Sequence, residues 1–121
     1  VRLAILELLE FAKCHAEEIE KGQAKSGSFH YKVGVGAQGV TLFTCDAYGT
    51  VTVSLANFER KLPGTAIRKL KRDIAALPGT EEFAKPENVR PALYIKRSLA
   101  SPRVMKRFER AILAFQRVAA L

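Results

Sequence analysis

The chain has 121 residues, 48% of them hydrophobic and 26% charged, which is enough apolar mass for one core and too much for a disordered tail. No run reaches the roughly 18 apolar residues that a bilayer-crossing helix needs, and Val1 to Glu7 lacks the basic and apolar blocks of a secretory signal. The net charge of +8 is held unevenly: residues 1–58 carry 5 Lys and Arg against 6 Asp and Glu, and residues 59–121 carry 15 against 6.

In chain order, Ile5, Leu8, Leu9, Ala12, Ala16 and Ile19 recur at spacings of three and four, which predicts one amphipathic helix from Arg2 to Lys21. The run from Gly22 to Ser28 is polar, has no apolar period and reads as a loop. At Phe29 the period changes to two, with Phe29, Tyr31, Val33 and Val35 on one side of a strand and His30 and Lys32 on the other. Two further strands are expected at Val40–Cys45 and Thr50–Leu55, joined by Asp46-Ala47-Tyr48-Gly49, where Asp first and Gly fourth suit a type I turn. Alternation in the last strand predicts one buried and one wet sheet face.

Thr65 is the expected N-cap of a helix reaching Leu77 and ended by Pro78-Gly79. Thr80 to Lys85 reads as a short helical turn stopped by Pro86, and Leu93, Tyr94 and Ile95 as a short fourth strand or a packed extended segment. Ser101-Pro102 starts a terminal helix that runs to about Ala120. The expected fold class is therefore α+β: an N-terminal helix, a three-stranded antiparallel meander, and two main C-terminal helices packed on one sheet face. Residues 1–121 are expected to form a single domain excised from a longer cytoplasmic protein, with Cys14 and Cys45 reduced.

Several motifs match in spelling and fail in context. Gly34-Val35-Gly36-Ala37-Gln38-Gly39 spells GxGxxG, but a strand pattern, Val40 to Thr44, follows where a dinucleotide site needs a helix N-terminus. A kinase-type phosphate loop fails as well, because Thr50 to Leu55 lacks the required lysine. These glycines read as hairpin and bulge residues that need positive φ. Asp46 with Glu59-Arg60-Lys61 can be written D…ExK, the layout of metal-dependent nucleases of the PD-(D/E)xK type. That chemistry requires both carboxylates and the lysine to meet at neighbouring strand ends around a divalent ion. Cys14, His15, His30 and Cys45 are four in number, as zinc requires, but adjacent helical residues point about 100° apart and no CxxC or HxxxH spacing occurs. No metal, cofactor or catalytic residue is expected, and a metal-dependent nuclease-like domain built on Asp46, Glu59 and Lys61 is kept as the last alternative.

The sharpest surface feature is a basic stripe on the terminal helix. On a helical wheel Val104, Met105, Phe108, Ala111, Ile112, Phe115, Val118 and Ala119 form an apolar arc, while Arg103, Lys106, Arg107, Arg110 and Arg117 fall together on another, bordered by Glu109 and Gln116. Arg68, Lys69 and Arg72 add cations on the middle helix, and Lys96 and Arg97 precede the terminal one. Lys and Arg that displace condensed counterions bind nucleic-acid phosphates without reading sequence. The expected function is a non-catalytic accessory module contacting nucleic acid through these residues, those of the terminal helix first. An acidic protein surface would satisfy the same charges, which makes a protein-interaction or dimerisation module the alternative; membrane binding is not expected, since the apolar arc is needed for the core. Thr65–Leu77 with Thr80–Lys85 resembles a helix-turn-helix only in outline, because Pro86 truncates the second member. Tyr31, Tyr48 and Tyr94 are candidates for stacking single-stranded bases.

Overall fold

The computed structural model describes residues 2–21, 28–35 and 38–119. Its first element, helix α1 (Arg2–His15), buries Leu8, Phe11 and Ala12. The helix was expected to run to Lys21, but its last backbone bond is donated by Ala16 N–H to Ala12 O at 2.9 Å. Glu17 N–H then donates to Lys32 O at 2.9 Å, and the chain continues as strand β1 (Glu18–Lys21), with Ile19 opposite Tyr31. Ile19 fits a helical stripe and a strand equally well, and pairing with a neighbouring strand decided between them.

Strands β2 (Phe29–Val35), β3 (Gln38–Cys45), β4 (Thr50–Val53) and β5 (Ala92–Tyr94) complete one antiparallel sheet in the order β1-β2-β3-β4-β5. The α+β class therefore holds, with a five-stranded sheet in place of the three-stranded meander. The β3–β4 turn forms as expected, with Gly49 N–H on Asp46 O and Gly49 at φ 90. The Asp46 carboxylate reinforces it by accepting from the backbone N–H groups of Tyr48 and Thr50, each at 2.9 Å.

The expectation for the glycine-rich stretch needs correction. Among the described residues only Gly49 and Gly79 have positive φ, so neither Gly34 nor Gly39 does. Gly36 and Ala37 lie outside the described residues, as do positions 22–27 of the expected loop. The bulge lies elsewhere. Tyr31 pairs with Phe43 but Lys32 pairs with Thr41, so Leu42 is an extra residue in β3. It lets Val40, Leu42, Phe43 and Cys45 all be buried, a pattern strict alternation forbids. The opposite face carries His30, Lys32, Thr44 and Thr52, all half-buried, with His30 Nδ1 and Thr44 Oγ1 2.8 Å apart.

After a 3-10 turn (Leu55–Phe58), helix α2 (Gly64–Ala75) starts from Pro63, two residues earlier than a Thr65 cap would place it. Ala66 N–H already reaches Pro63 O at 3.0 Å, which closes the first turn and leaves Thr65 exposed inside it. The expected short turn after Thr80 is a 3-10 segment, Glu81–Ala84. Helix α3 (Pro102–Ala119) begins at the Ser-Pro signal, with Met105 N–H bonded to Ser101 O at 2.9 Å.

A chain of rings joins the layers. Phe11 of α1 stacks on Tyr31 (5.7 Å between centroids), Tyr31 stacks on Phe43 (4.8 Å), and Phe108 of α3 meets Phe43 edge-on (5.7 Å). Such pairs add directional preference to apolar burial. The Tyr31 hydroxyl donates to Gln116 Oε1 at 2.6 Å, and Gln116 Nε2 donates to His15 O at 2.7 Å, so one α3 side chain ties the sheet to the end of α1. Burial pushes the Tyr31 phenol well above its ordinary range. α3 thus packs on the sheet as expected, whereas α2 packs on α3 and the Glu81–Ala84 turn.

Candidate functional site

α2 and α3 run antiparallel: the start of α2 at Ala66 lines a pocket with Val118 at the end of α3, and Ala76 after α2 lines one with Arg107 near the start of α3. The facing positions recur every three or four residues, 69, 72, 73 and 76 on α2 against 107, 110, 111 and 114 on α3, as two helical stripes must. Small side chains there, Ala76, Ala111 and Ala114, leave a groove of about 490 Å³. Its rim is cationic, with Lys69 and Arg72 on one side and Arg107 and Arg110 on the other.

The rim also contains one acid, Asp73, and Lys69 Nζ meets it at 2.7 Å. Lys69 is thereby engaged within its own helix. Arg72, Arg107 and Arg110 are exposed and make no ion pair or side-chain hydrogen bond with another described residue. Three arginines without an acid partner thus line one groove, and each carries a planar fork of donors of the kind that matches phosphate oxygens.

The other candidates are distributed around this groove. Arg68 is exposed and turns its guanidinium back toward Gly64, where an added Cβ would lie 3.0 Å from Nη1. Arg103 in the first turn of α3 and Arg117 in its last are exposed beyond the ends of the groove lining. Lys106 is exposed and close enough to Glu109 to draw that carboxyl's pKa down. Burial and the neighbouring Glu7 carboxylate outweigh it, and Glu109 is raised above its ordinary value. All eight cations are thus at the surface, but only four border one concavity and only three of those are unpaired.

Lys71, which was not among the candidates, is in a different position. Its ammonium donates to the backbone carbonyls of Lys85, Pro86 (3.4 Å) and Asn88 (2.8 Å), closing the loop after the Glu81–Ala84 turn onto α2. Thr80, 2% exposed, also ties down this end of α2: its hydroxyl is shared between Ile74 O (2.8 Å), which already accepts from Leu77 N–H, and Leu77 O (2.7 Å).

The motifs for metal and nucleophile chemistry do not assemble. Asp46 is at the turn after β3, whereas Lys61 Nζ bonds Gln38 Oε1 at 2.9 Å at the start of β3. The strand between these points is more than about 20 Å long, so the elements of the D…ExK pattern lie at opposite ends of β3. Cys14 is exposed and Cys45 buried, both free, and burial with help from Asp46 pushes the Cys45 thiol up to about 12. Among the described residues no three His, Cys, Asp or Glu side chains group as a metal site would require, and no helix is long and apolar enough to cross a membrane. No family model, curated protein or solved structure matches this chain.

Proposed function

We propose that this chain is a non-catalytic accessory module that holds nucleic-acid phosphates along the α2–α3 face, with Arg72, Arg107 and Arg110 as the principal contacts. Arg103, Lys106, Arg117 and Arg68 supply a wider field that attracts the polyanion, and Lys69 contributes when phosphate competes with Asp73. The observation that carries the reading is that three arginines with no ion-pair partner line one groove. Alanines on its floor let a backbone approach closely without offering hydrogen bonds to bases, so affinity without base preference is expected.

The test is a salt series with a short DNA duplex. Displacement of counterions by about three cations gives a slope of log K against log salt of about −2 to −3. The double variant Arg72→Glu with Arg107→Glu should lose most of the affinity and flatten that slope. Equal affinity in the double variant would remove the groove from consideration.

A further inference from the structure

The structure assigns a second site, a stacking cleft for an unpaired nucleobase formed by Tyr48 and Tyr94, with Lys96 and Arg97 placed for the adjoining phosphates. The inference rests on the nucleic-acid reading above and narrows its ligand to one that contains single-stranded nucleotides.

The cleft is separate from the α2–α3 groove. It has a volume of about 380 Å³ and is lined by Tyr48, Gly49, Tyr94, Lys96 and Arg97. Backbone pairing builds it: Thr50 stands opposite Tyr94, and Ile95 N–H donates to Gly49 O at 2.8 Å, which sets the β3–β4 turn beside the end of β5. Arg97 N–H then bonds Tyr94 O at 2.9 Å, a turn that returns Arg97 over the Tyr94 ring, its guanidinium carbon 5.8 Å from the centroid.

The two tyrosines are unusual for this protein. The other aromatic side chains of the sheet, Phe29, Tyr31 and Phe43, are buried, yet Tyr48 is 86% exposed and Tyr94 46%. Neither Tyr48 nor Tyr94 packs against another aromatic ring among the described residues; Arg97 lies over one face of Tyr94, which leaves the Tyr48 ring and the other face of Tyr94 for a planar ligand. Aromatic faces also suit ammonium ligands. Lys96 and Arg97 repel such a cation, no carboxylate lines the cleft, and the nearby Asp46 has its Oδ1 engaged by two backbone N–H groups. Planar and anionic together describe a nucleotide, with the base on the rings and phosphate on the cations.

The cleft also lies near the end of the groove. Gly79 (φ +73) closes the turn after α2 directly against Arg97, where a Cβ would stand 2.8 Å from Arg97 O. Ala76, at the groove's end, is three residues away along the chain and so within about 11 Å of Gly79. The two sites are therefore joined by a short backbone path.

Four proteins and three probes test the proposal: wild type, Tyr48→Ala with Tyr94→Ala, Tyr48→Phe with Tyr94→Phe, and the Arg72→Glu with Arg107→Glu groove variant, each titrated with oligothymidylate, an abasic oligonucleotide of equal length, and a duplex. The chain contains no tryptophan and three tyrosines, so intrinsic tyrosine fluorescence reports on the cleft directly. The wild type is expected to bind oligothymidylate with quenching and the abasic strand more weakly. The Ala pair should lose at least about tenfold in oligothymidylate affinity and keep its duplex affinity within about twofold, with unfolding unchanged. The Phe pair should restore binding, because stacking needs the ring and not the hydroxyl. The groove variant should weaken both ligands. Oligothymidylate affinity unchanged by the Ala pair, with the groove variant still impaired, overturns the cleft alone. Failure of wild type to bind any of the three probes overturns both sites, and binding of polyglutamate in that case would identify an acidic protein partner.

Discussion

Lys71 and Arg72 are consecutive on α2, and they serve two regions that treat charge in opposite ways. On the Lys71 side every donor has a use: the ammonium closes the 85–88 segment through backbone carbonyls, and Thr80 satisfies the open end of the helix. On the Arg72 side three arginines line one groove with no acid paired to them. A protein optimised only for stability has no reason to gather like charges this way, since their repulsion grows as they approach. The difference teaches that total basic charge is a poor guide to where a ligand goes; what matters is which cations the fold leaves without internal partners.

The largest effect should come from the sealed side. Lys71→Met leaves the carbonyls of Lys85 and Asn88 without their donor and is expected to cost about 1–3 kcal/mol in urea unfolding. A cost near zero would mean that water replaces the ammonium and that the two sides do not differ as described. Thr80→Val, which keeps the shape and removes the hydroxyl, should cost about 1–2 kcal/mol by the same measurement.

A smaller, pH-dependent effect should arise at the edge of the basic stripe, where Glu109 stands between α1 and α3. Its carboxyl is raised by burial and by Glu7, with Lys106 acting in the other direction. Below the ordinary value of 4.5 both the folded and unfolded chains keep the proton, and nothing is lost. As pH rises from there toward the higher folded value the unfolded chain ionises first, so stability falls, and above the folded value the loss is constant. Glu109→Gln should therefore match wild type near about pH 4 and become the more stable of the two by about pH 7, as followed by thermal unfolding. A gap that closes with rising pH would contradict the raised carboxyl. Smallest of all, Arg72→Gln with Arg107→Gln should change unfolding free energy by less than about 0.5 kcal/mol while nucleic-acid affinity falls. A large loss of stability there would show that the groove is structural.

Much of the architecture was legible in the residues themselves. The alternation from Phe29 to Val35, the Asp46–Gly49 turn and the Ser101-Pro102 helix start each have a local cause and appear where expected. The end of α1, the bulge at Leu42 and strand β5 were not fixed locally. Each depends on a partner strand, which pattern alone cannot supply. The candidate site divides the same way. A helical wheel grouped the α3 cations correctly as exposed, but whether Arg107 faces Arg72 depends on how α2 crosses α3, and Lys71 and Arg72 look interchangeable until the 85–88 segment is in place. Tyr31 shared the stacking hypothesis with Tyr48 and Tyr94 and was excluded only by its position beneath α1 and α3.

The bridge through Gln116 has a consequence for how the molecule assembles. Strands β1 to β4 pair in chain order, so their hairpins can zip up one after another, while β5 joins only after the intervening helix. The amino-terminal helix has no such convenience: the side chain that fastens its end lies 101 positions downstream. Phe11 can stack on Tyr31 as soon as the sheet forms, but the end of α1 stays unfastened until α3 is in place, so its final docking waits on a segment distant in the chain.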